Sequence, residues 1–242
     1  MKWILAALLA VSFSSPAGAG LFRASEKDLA SLHRVGVVSL LGDTFHSVFV
    51  GTTAFQNTGH DIPVPQWSIN AFARDEALQL LTEKGRFKAE PLGLEGLQEQ
   101  TLYGKPHDYA ISKTGVEKLV AMAREQGLDG VLVIGRNLWQ EMPFYTPGFG
   151  VVRRTMFGQS AGCVYAAMSF ELFRADTGKS VVRRAVPPCT RNNVDYEPRA
   201  TLEAYSEEEQ TALAAAVKAQ VHQGVDTALT DMKLLTGSAG QH

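Results

Sequence analysis

The sequence predicts one domain of mixed α/β (α+β) structure, with a mixed, largely antiparallel sheet and three helices packed on it. Short apolar runs rich in β-branched residues alternate with segments whose apolar residues recur every three to four positions. The order is two strands, a helix, a strand, a helix and a strand, then a run of strands and a last helix. Consecutive strands without an intervening helix are typical of antiparallel pairing, so a wholly parallel sheet is disfavoured.

The strands are predicted from apolar runs and from the turn residues between them. Residues 34–41 and 46–55 are expected to form a hairpin, followed by a loop over 56–66. The run GVLVIG at 130–135 is apolar throughout, which predicts a central strand covered on both faces. The remaining expected strands are 86–92, 151–156, 163–174 and 180–185, the last two joined by the turn Asp176-Thr177-Gly178-Lys179.

Three helices are predicted from apolar periodicity and from residues that favour helix ends. Ser68 is expected to cap a helix that runs to Lys84, with Gly85 just beyond it in a left-handed conformation. Thr114 to Glu117 has the pattern of a capping box that opens a helix to Gln126, and Ser206 to Glu209 that of a second box. The second box opens a helix to about residue 235, whose core-facing residues are Leu213, Val217, Val221, Val225, Ala228, Met232 and Leu235.

The first 19 residues have the pattern of a secretory signal peptide. Lys2 precedes an apolar run over 3–13, and Ala17-Gly18-Ala19 is a small-x-small cleavage site. The run is shorter than the roughly 20 apolar residues that span a bilayer, and no later stretch reaches that length. We therefore expect a lead-in over 20–33, the domain over 34–235, a flexible tail over 236–242, and a periplasmic or secreted protein without a membrane span.

The net charge and the cysteine content restrict the functions and the compartment that the sequence allows. The net charge of −2 argues against a nucleic-acid partner, because sequence-independent binding needs a basic surface. Two cysteines, Cys163 and Cys189, are an even count for an oxidising compartment, and a disulfide between them is expected. The alternative is a pair of unpaired buried thiols. A catalytic thiol is disfavoured because no His or Asn is suitably placed in the sequence.

Three segments resemble a domain of bacterial envelope proteins. They are the helix-to-strand segment at 71–92, AREQGLDGVLVIG at 123–135 and FELFRADTGKSVV at 170–182. Together they are similar to the periplasmic α/β domain shared by the curli-secretion-channel protein, the amino-terminal domain of the Tol translocation protein and penicillin-binding-protein activator lipoproteins. The resemblance implies a domain without catalytic residues that docks on other envelope proteins or oligomerises. This chain lacks the lipid-anchor cysteine of such proteins and carries an insertion over 136–160.

One pentapeptide offers a catalytic alternative. Residues 158–162, GQSAG, match the G-x-S-x-G pattern that exposes a nucleophilic serine, here Ser160, on a sharp strand-to-helix turn. The alternating sequence after it predicts a strand, and the only later histidines are His222, inside a helix, and His242, at the terminus. A glycine-rich loop that joins two strands of a hairpin is therefore favoured over a small serine hydrolase.

A metal- or ligand-binding module is the second alternative. His60-Asp61 and His107-Asp108 are His-Asp pairs in expected loops, and His60, Asp61 and His107 could supply metal ligands. The two pairs lie far apart in sequence, so solvated loop residues are favoured. No glycine-rich phosphate-binding motif occurs, and we expect no cofactor.

The strongest binding signal is an aromatic segment over 136–150, expected to be a loop. Aromatic residues at this density are typical either of interfaces or of a small core folded under the loop. Arg153 and Arg183, from two Arg-Arg pairs expected on neighbouring strands, could receive an anionic partner or could protect a sheet edge. The sequence thus favours a non-enzymatic protein that binds an envelope protein or a copy of itself, through Trp139, Met142, Phe144, Tyr145, Phe149, Arg153 and Arg183.

Overall fold

The sheet is built around one strand of 16 residues, Gln159–Arg174, whose two halves pair with different neighbouring strands. The structure is a computed structural model that describes residues 25–94, 97, 100–104, 110–141, 144–186, 188–189 and 196–236. Its strands are β1 (Arg34–Leu40), β2 (Thr44–Val50), β3 (Thr58–Pro63), β4 (Lys88–Pro91), β5 (Gly130–Arg136), β6 (Leu138–Glu141), β7 (Phe144–Met156), β8 (Gln159–Arg174) and β9 (Ser180–Ala185). Its helices are α1 (Glu26–Ala30), α2 (Ile69–Lys84), α3 (Gln100–Tyr103), α4 (Lys113–Glu125) and α5 (Glu207–Asp231).

The predicted fold class is confirmed, with a mixed sheet of nine strands in the described residues. The three predicted helices correspond to α2, α4 and α5. Two further helices, α1 and α3, have five and four residues and were not predicted. Such short segments hold too few apolar positions to show a helical period.

The strands beside β8 are arranged in rows, each row consisting of two strands that lie end to end. β5 pairs antiparallel with its second half and β7 with its first half, so that Arg136 faces Met168 and Gly148 faces Ala167. β5 and β7 therefore lie end to end along β8. In the next row β1 pairs parallel with β5 and β2 pairs parallel with β7. β4 and β3 lie outside β1 and β2, and β9 lies on the other side of β8.

The predicted hairpin of the first two strands is wrong, because β1 and β2 lie in one row instead of beside each other. Gly42, with φ of 79°, redirects the chain between them. The side-chain oxygen of Asn70 accepts hydrogen bonds from the backbone N–H groups of Leu41 (2.6 Å) and Gly42 (3.2 Å). The antiparallel partner of β2 is instead β3, which lies inside the segment expected to be a loop over 56–66.

The sheet has cores on both of its faces. α2 and α5 cover one face, where their apolar residues join Leu132, Ile134 and Phe170 in the largest core cluster. On the other face α4 packs over Val131 and Val133. The predicted double coverage of β5 is confirmed, and so is the burial of the seven core-facing residues of the last helix. No helix in the described part of the chain is long and apolar enough to cross a bilayer.

The capping box predicted for the last helix is confirmed. At the start of α5 the Ser206 hydroxyl accepts from the Glu209 N–H, and the Glu209 carboxylate accepts from the Ser206 N–H at 2.7 Å. The bond from the Ser206 N–H to the carboxylate is the main cause that lowers the pKa of Glu209, and the charge of Arg199 lowers it further. The α5 helix ends at Asp231 instead of near residue 235, because Lys233 adopts a left-handed φ of 59°.

The cap predicted for α4 is wrong, whereas Ser68 and Gly85 stand at the two ends of α2 as predicted but in other conformations than expected. The cap of α4 is Ser112, two residues before the expected Thr114, and its hydroxyl accepts from the Gly115 N–H. Ser68 precedes α2 but makes no side-chain cap bond, because it is itself left-handed with φ of 53°. Gly85 is extended with φ of −72°. A Cβ at this position would lie 2.2 Å from the Leu81 carbonyl oxygen, so the close approach of the backbone requires glycine.

The expected disulfide is confirmed. Cys163, in β8, is bonded to Cys189, just past β9, with their Cα atoms 6.4 Å apart. Cys163 belongs to a small buried cluster on β2, β7 and β8 that includes Val152 and Tyr165. Next to the bond, the Ala166 N–H donates to the Pro188 carbonyl, so the segment after β9 is attached to β8 at two points.

Replacing both cysteines, Cys163→Ala with Cys189→Ala, should lower the free energy of unfolding by about 3–4 kcal/mol, because the unfolded chain regains the freedom of a closed loop. Urea denaturation of both proteins, with the wild type under oxidising conditions, measures the difference. The wild type with reductant is the matched control and should lose a similar amount. An unchanged denaturation midpoint in both cases would contradict a structural role for the bond.

Candidate functional site

The structure separates the residues predicted to form one binding surface. Phe149 has 0% of its surface exposed and lies in the main core, so the expectation that it contributes to an exposed surface is wrong. Arg153 is ion-paired with Glu197, and Arg183 lies 3.8 Å from a Glu171 carboxylate oxygen.

The two arginines are also far apart along the sheet. On β8, Arg153 faces Gly162 and Arg183 faces Glu171. These positions are separated by about 30 Å at the usual strand rise. Their strands, β7 and β9, both pair with β8 and not with each other, so the expected neighbouring Arg-Arg pairs do not form one site.

The aromatic segment over 136–150 is not a loop but mostly a two-stranded ribbon. Trp139 lies in β6, facing Thr146, and Tyr145 lies in β7, facing Gln140. Phe144 begins β7, and Met142 lies outside the described residues. Prolines suggested a loop, yet a short ribbon at a sheet edge tolerates proline. We call residues 138–147 the arm.

The base of the arm is closed by backbone contacts. The Gly148 N–H donates to the Asn137 carbonyl at 3.3 Å, which brings the two ends of the arm together. Gly148 has φ of 75°, and its backbone lies near the Leu41 carbonyl. The chain can therefore leave the row of β5 and β7 at Asn137 and return to it at Gly148.

Ser160 lies in a hairpin, as the favoured interpretation predicted. Phe157 and Gly158 form the two-residue turn between β7 and β8, both left-handed. Ser160 faces Thr155, and their hydroxyl oxygens are 2.9 Å apart in a hydrogen bond. The chain after Ser160 is strand as far as Arg174, whereas a nucleophile elbow requires a helix there.

The metal-ligand candidates do not converge either. His60 and Asp61 are consecutive in β3 and so point to opposite faces of the sheet. Asp61 faces His46 of β2, and its carboxylate lies 2.7 Å from the His46 Nδ1. His107 lies outside the described residues. Among the residues that the structure describes, no group of three His, Cys, Asp or Glu side chains could hold a metal ion.

The His46–Asp61 pair lines an open cleft next to β3. Thr146, Gly59 and His60 also line it. Below it, Tyr165 is fully buried, and burial raises the pKa of its phenol well above the usual range, while a hydrogen bond with Thr146 acts weakly in the other direction. The phenol therefore stays protonated.

Two phenylalanines that sequence reasoning missed form the most exposed apolar feature. Within the described ranges, Phe55 and Phe157 are the large hydrophobic residues classed as exposed, at 102% and 88%. Phe55 follows β2 and Phe157 follows β7. The parallel pairing of these strands, in register up to Val50 and Arg154, places both phenylalanines at the same end of the sheet.

The two turns also contact each other. The Thr52 hydroxyl donates to the Thr155 carbonyl at 3.3 Å. We call the two turns, residues 51–57 and 155–160, the aromatic end. Phe157 has φ of 50°, a conformation that a bulky side chain adopts at a cost and that Asn or Gly adopts easily. An exposed Phe-Gly turn in place of Asn-Gly was the sequence signal that could have identified it.

Comparisons with known proteins assign no family. No family model matches the chain, and no curated protein matches it. Among solved structures it is similar to a PelC dodecamer from Paraburkholderia phytofirmans and to a variant of that dodecamer, each with a TM-score of 0.27. The PelC dodecamer is 11% identical, and the alignment covers 80% of this chain and 86% of that chain. For the variant the identity is 15%, and the alignment covers 79% of this chain and 88% of that chain. A likeness this low assigns neither fold family nor function.

Phe157→Asn should leave the fold intact and raise the free energy of unfolding by about 0.5–1 kcal/mol, because asparagine tolerates the left-handed conformation better. Urea denaturation measures the change. Phe157→Ala is the matched control, since it removes the ring without relieving the backbone, and it should not be stabilising. A destabilised Asn variant would show that Phe157 packs against the fold.

Proposed function

We propose that this protein acts by binding another protein of the bacterial cell envelope, in the periplasm or outside the cell, and that the arm is the contact surface. The observation that carries the proposal is the departure of the arm from the sheet. Along β8, Met168 faces Arg136 and the adjacent Ala167 faces Gly148. The arm, residues 138–147, is thus inserted between two neighbouring positions of one row, and its residues pair with one another instead of with β8.

The composition of the arm supports a contact role. Its ten residues, LWQEMPFYTP, include Trp139, Phe144 and Tyr145 and a single charged residue, Glu141. Aromatic residues are enriched at protein interfaces and charged ones are depleted at interface centres. A segment that the sheet does not require, with this composition, is suited to recognition.

The backbone of the arm offers a second means of contact. In the described part of the chain, β6 pairs with β7 alone, so its outer edge has no strand beside it. A free strand edge can accept a strand from a partner, with backbone hydrogen bonds supplying affinity and side chains specificity. Thr146 is buried at the base of the arm and the Gly148 N–H donates to the Asn137 carbonyl there, so this edge is presented in a defined position.

Two observations support a location outside the cytoplasm. The disulfide between Cys163 and Cys189 belongs to a class of bond that persists in oxidising compartments. The first 19 residues have the pattern of a signal peptide. Both agree with the resemblance to envelope domains, which implies docking rather than catalysis.

A photo-crosslinking amino acid at position 139 or 144 should yield a discrete protein adduct in the producing cell. The matched control carries the same amino acid at Lys118, which is exposed on the outer side of α4. Immunoblotting and mass spectrometry identify the adducts. Equal adducts from all three positions, or none from 139 and 144, would contradict a contact role for the arm.

Deleting residues 138–147 gives a second readout in the same cells. Asn137 and Gly148 are already within hydrogen-bond distance, so the deletion joins two adjacent points. The shortened protein should still unfold cooperatively, with a free energy of unfolding lower by about 1 kcal/mol because the buried Thr146 is removed. It should not co-purify with the partner identified from position 139.

A further inference from the structure

The aromatic end is a second feature, separate from the arm and its proposed partner. Gly148, at the base of the arm, and Met156, just before the turn, are eight positions apart along β7. At the usual strand rise this is about 26 Å. A partner that covers the arm therefore leaves the aromatic end available, and a role for this end is independent of the proposed function.

Single exposed apolar residues are common on protein surfaces and need no explanation. Here two turns from distant parts of the sequence place two exposed phenylalanines at the same end of the sheet. Phe157 also holds a left-handed conformation, which costs stability and which the exposed ring does not repay by packing. Strain that the fold does not need is typical of functional positions.

The charge pattern around this end is unusual for the chain. Charged residues make up 20% of the sequence, yet no Asp, Glu, Lys or Arg occurs in 44–60 or in 155–170. These stretches include β2, both turns and most of β8. The next charged residues along β7 are Arg154 and Arg153, about 10–13 Å behind Phe157 at the usual strand rise. The aromatic end thus presents two phenylalanines, surrounded by uncharged residues, with Arg154 and Arg153 behind them along β7.

We infer that the aromatic end inserts into the surface of a lipid bilayer. Phe55 and Phe157 would lie at the boundary of headgroups and acyl chains, which interfacial segments enter by about 5–10 Å. The Thr, Gln and Ser residues of the turns suit the headgroup layer, and Arg154 lies at the depth where anionic headgroups attract a cation. The absence of carboxylates from both turns removes the repulsion that such headgroups would exert.

A bilayer fits this geometry better than a pocket in a protein. The two rings extend from separate turns, and a pocket would have to match their spacing and directions. A fluid interface accepts any two side chains that reach the same depth. The turns also carry uncharged polar residues around each ring, which the headgroup layer accommodates.

Vesicle sedimentation tests the inference. The protein, purified after export and processing, is mixed with vesicles of phosphatidylglycerol and phosphatidylethanolamine, or of phosphatidylcholine alone. The wild type should bind the anionic vesicles. The double variant Phe55→Ser with Phe157→Asn should bind about tenfold less, because each ring contributes apolar area to the interface. Arg154→Gln should weaken binding to the anionic vesicles several-fold and leave binding to phosphatidylcholine unchanged.

The matched control keeps aromatic side chains at both positions, as Phe55→Trp with Phe157→Trp. This variant should bind as the wild type does, and its added tryptophan emission should shift to shorter wavelength with vesicles. Urea denaturation shows whether each variant is folded, and either single substitution replaces the double variant if that one unfolds. Equal binding of the wild type and the polar variant would overturn the inference, as would no binding of the wild type to any vesicle. Protein adducts from a photo-crosslinker at position 157, without vesicle binding, would instead identify a protein pocket.

Discussion

The hydrogen-bonded pairing of β8 with its neighbours is the constraint on which the rest of the structure depends. Its first half pairs with β7, and its second half lies between β5 and β9. Because β5 and β7 lie end to end along it, the parallel strands β1 and β2 must lie end to end in the next row. The helices α2 and α5 then pack over residues of both halves, so that one core continues past the junction.

This arrangement also determines where the chain can present surfaces. At the junction of the rows the chain can leave the sheet without breaking a pair on β8, and the arm does so between Asn137 and Gly148. At the far end of β7 the hairpin into β8 lies beside the turn after β2, so Phe157 and Phe55 lie at the same end of the sheet. The disulfide attaches the segment after β9 to β8 between these two places.

Local signals were reliable where they were strong, as for the apolar run of β5 and the capping box of α5. They failed where contacts with residues distant in sequence determine the local structure. The short gap over 41–43 is typical of a hairpin, but Asn70 from α2 holds its backbone N–H groups and pairing with β5 and β7 fixes both strands. The aromatic density of the arm was visible in the sequence. Of the aromatic end, only the unusual Phe157-Gly158 turn was visible, because Phe55 carries no such signal and only the β2–β7 pairing joins the two turns.

If β8 makes both halves of the sheet one cooperative unit, native-state amide hydrogen exchange shows it most directly. At rising urea concentrations, amides of β8 in each half, such as those of Val164 and Leu172, should exchange through one common unfolding reaction. Amides of Val37 in β1 and Val48 in β2 should merge with the same reaction. If the β2–β7 half opened at a distinctly lower free energy than the β1–β5 half, the two halves would be separate units, and β8 would not be the strand that couples them.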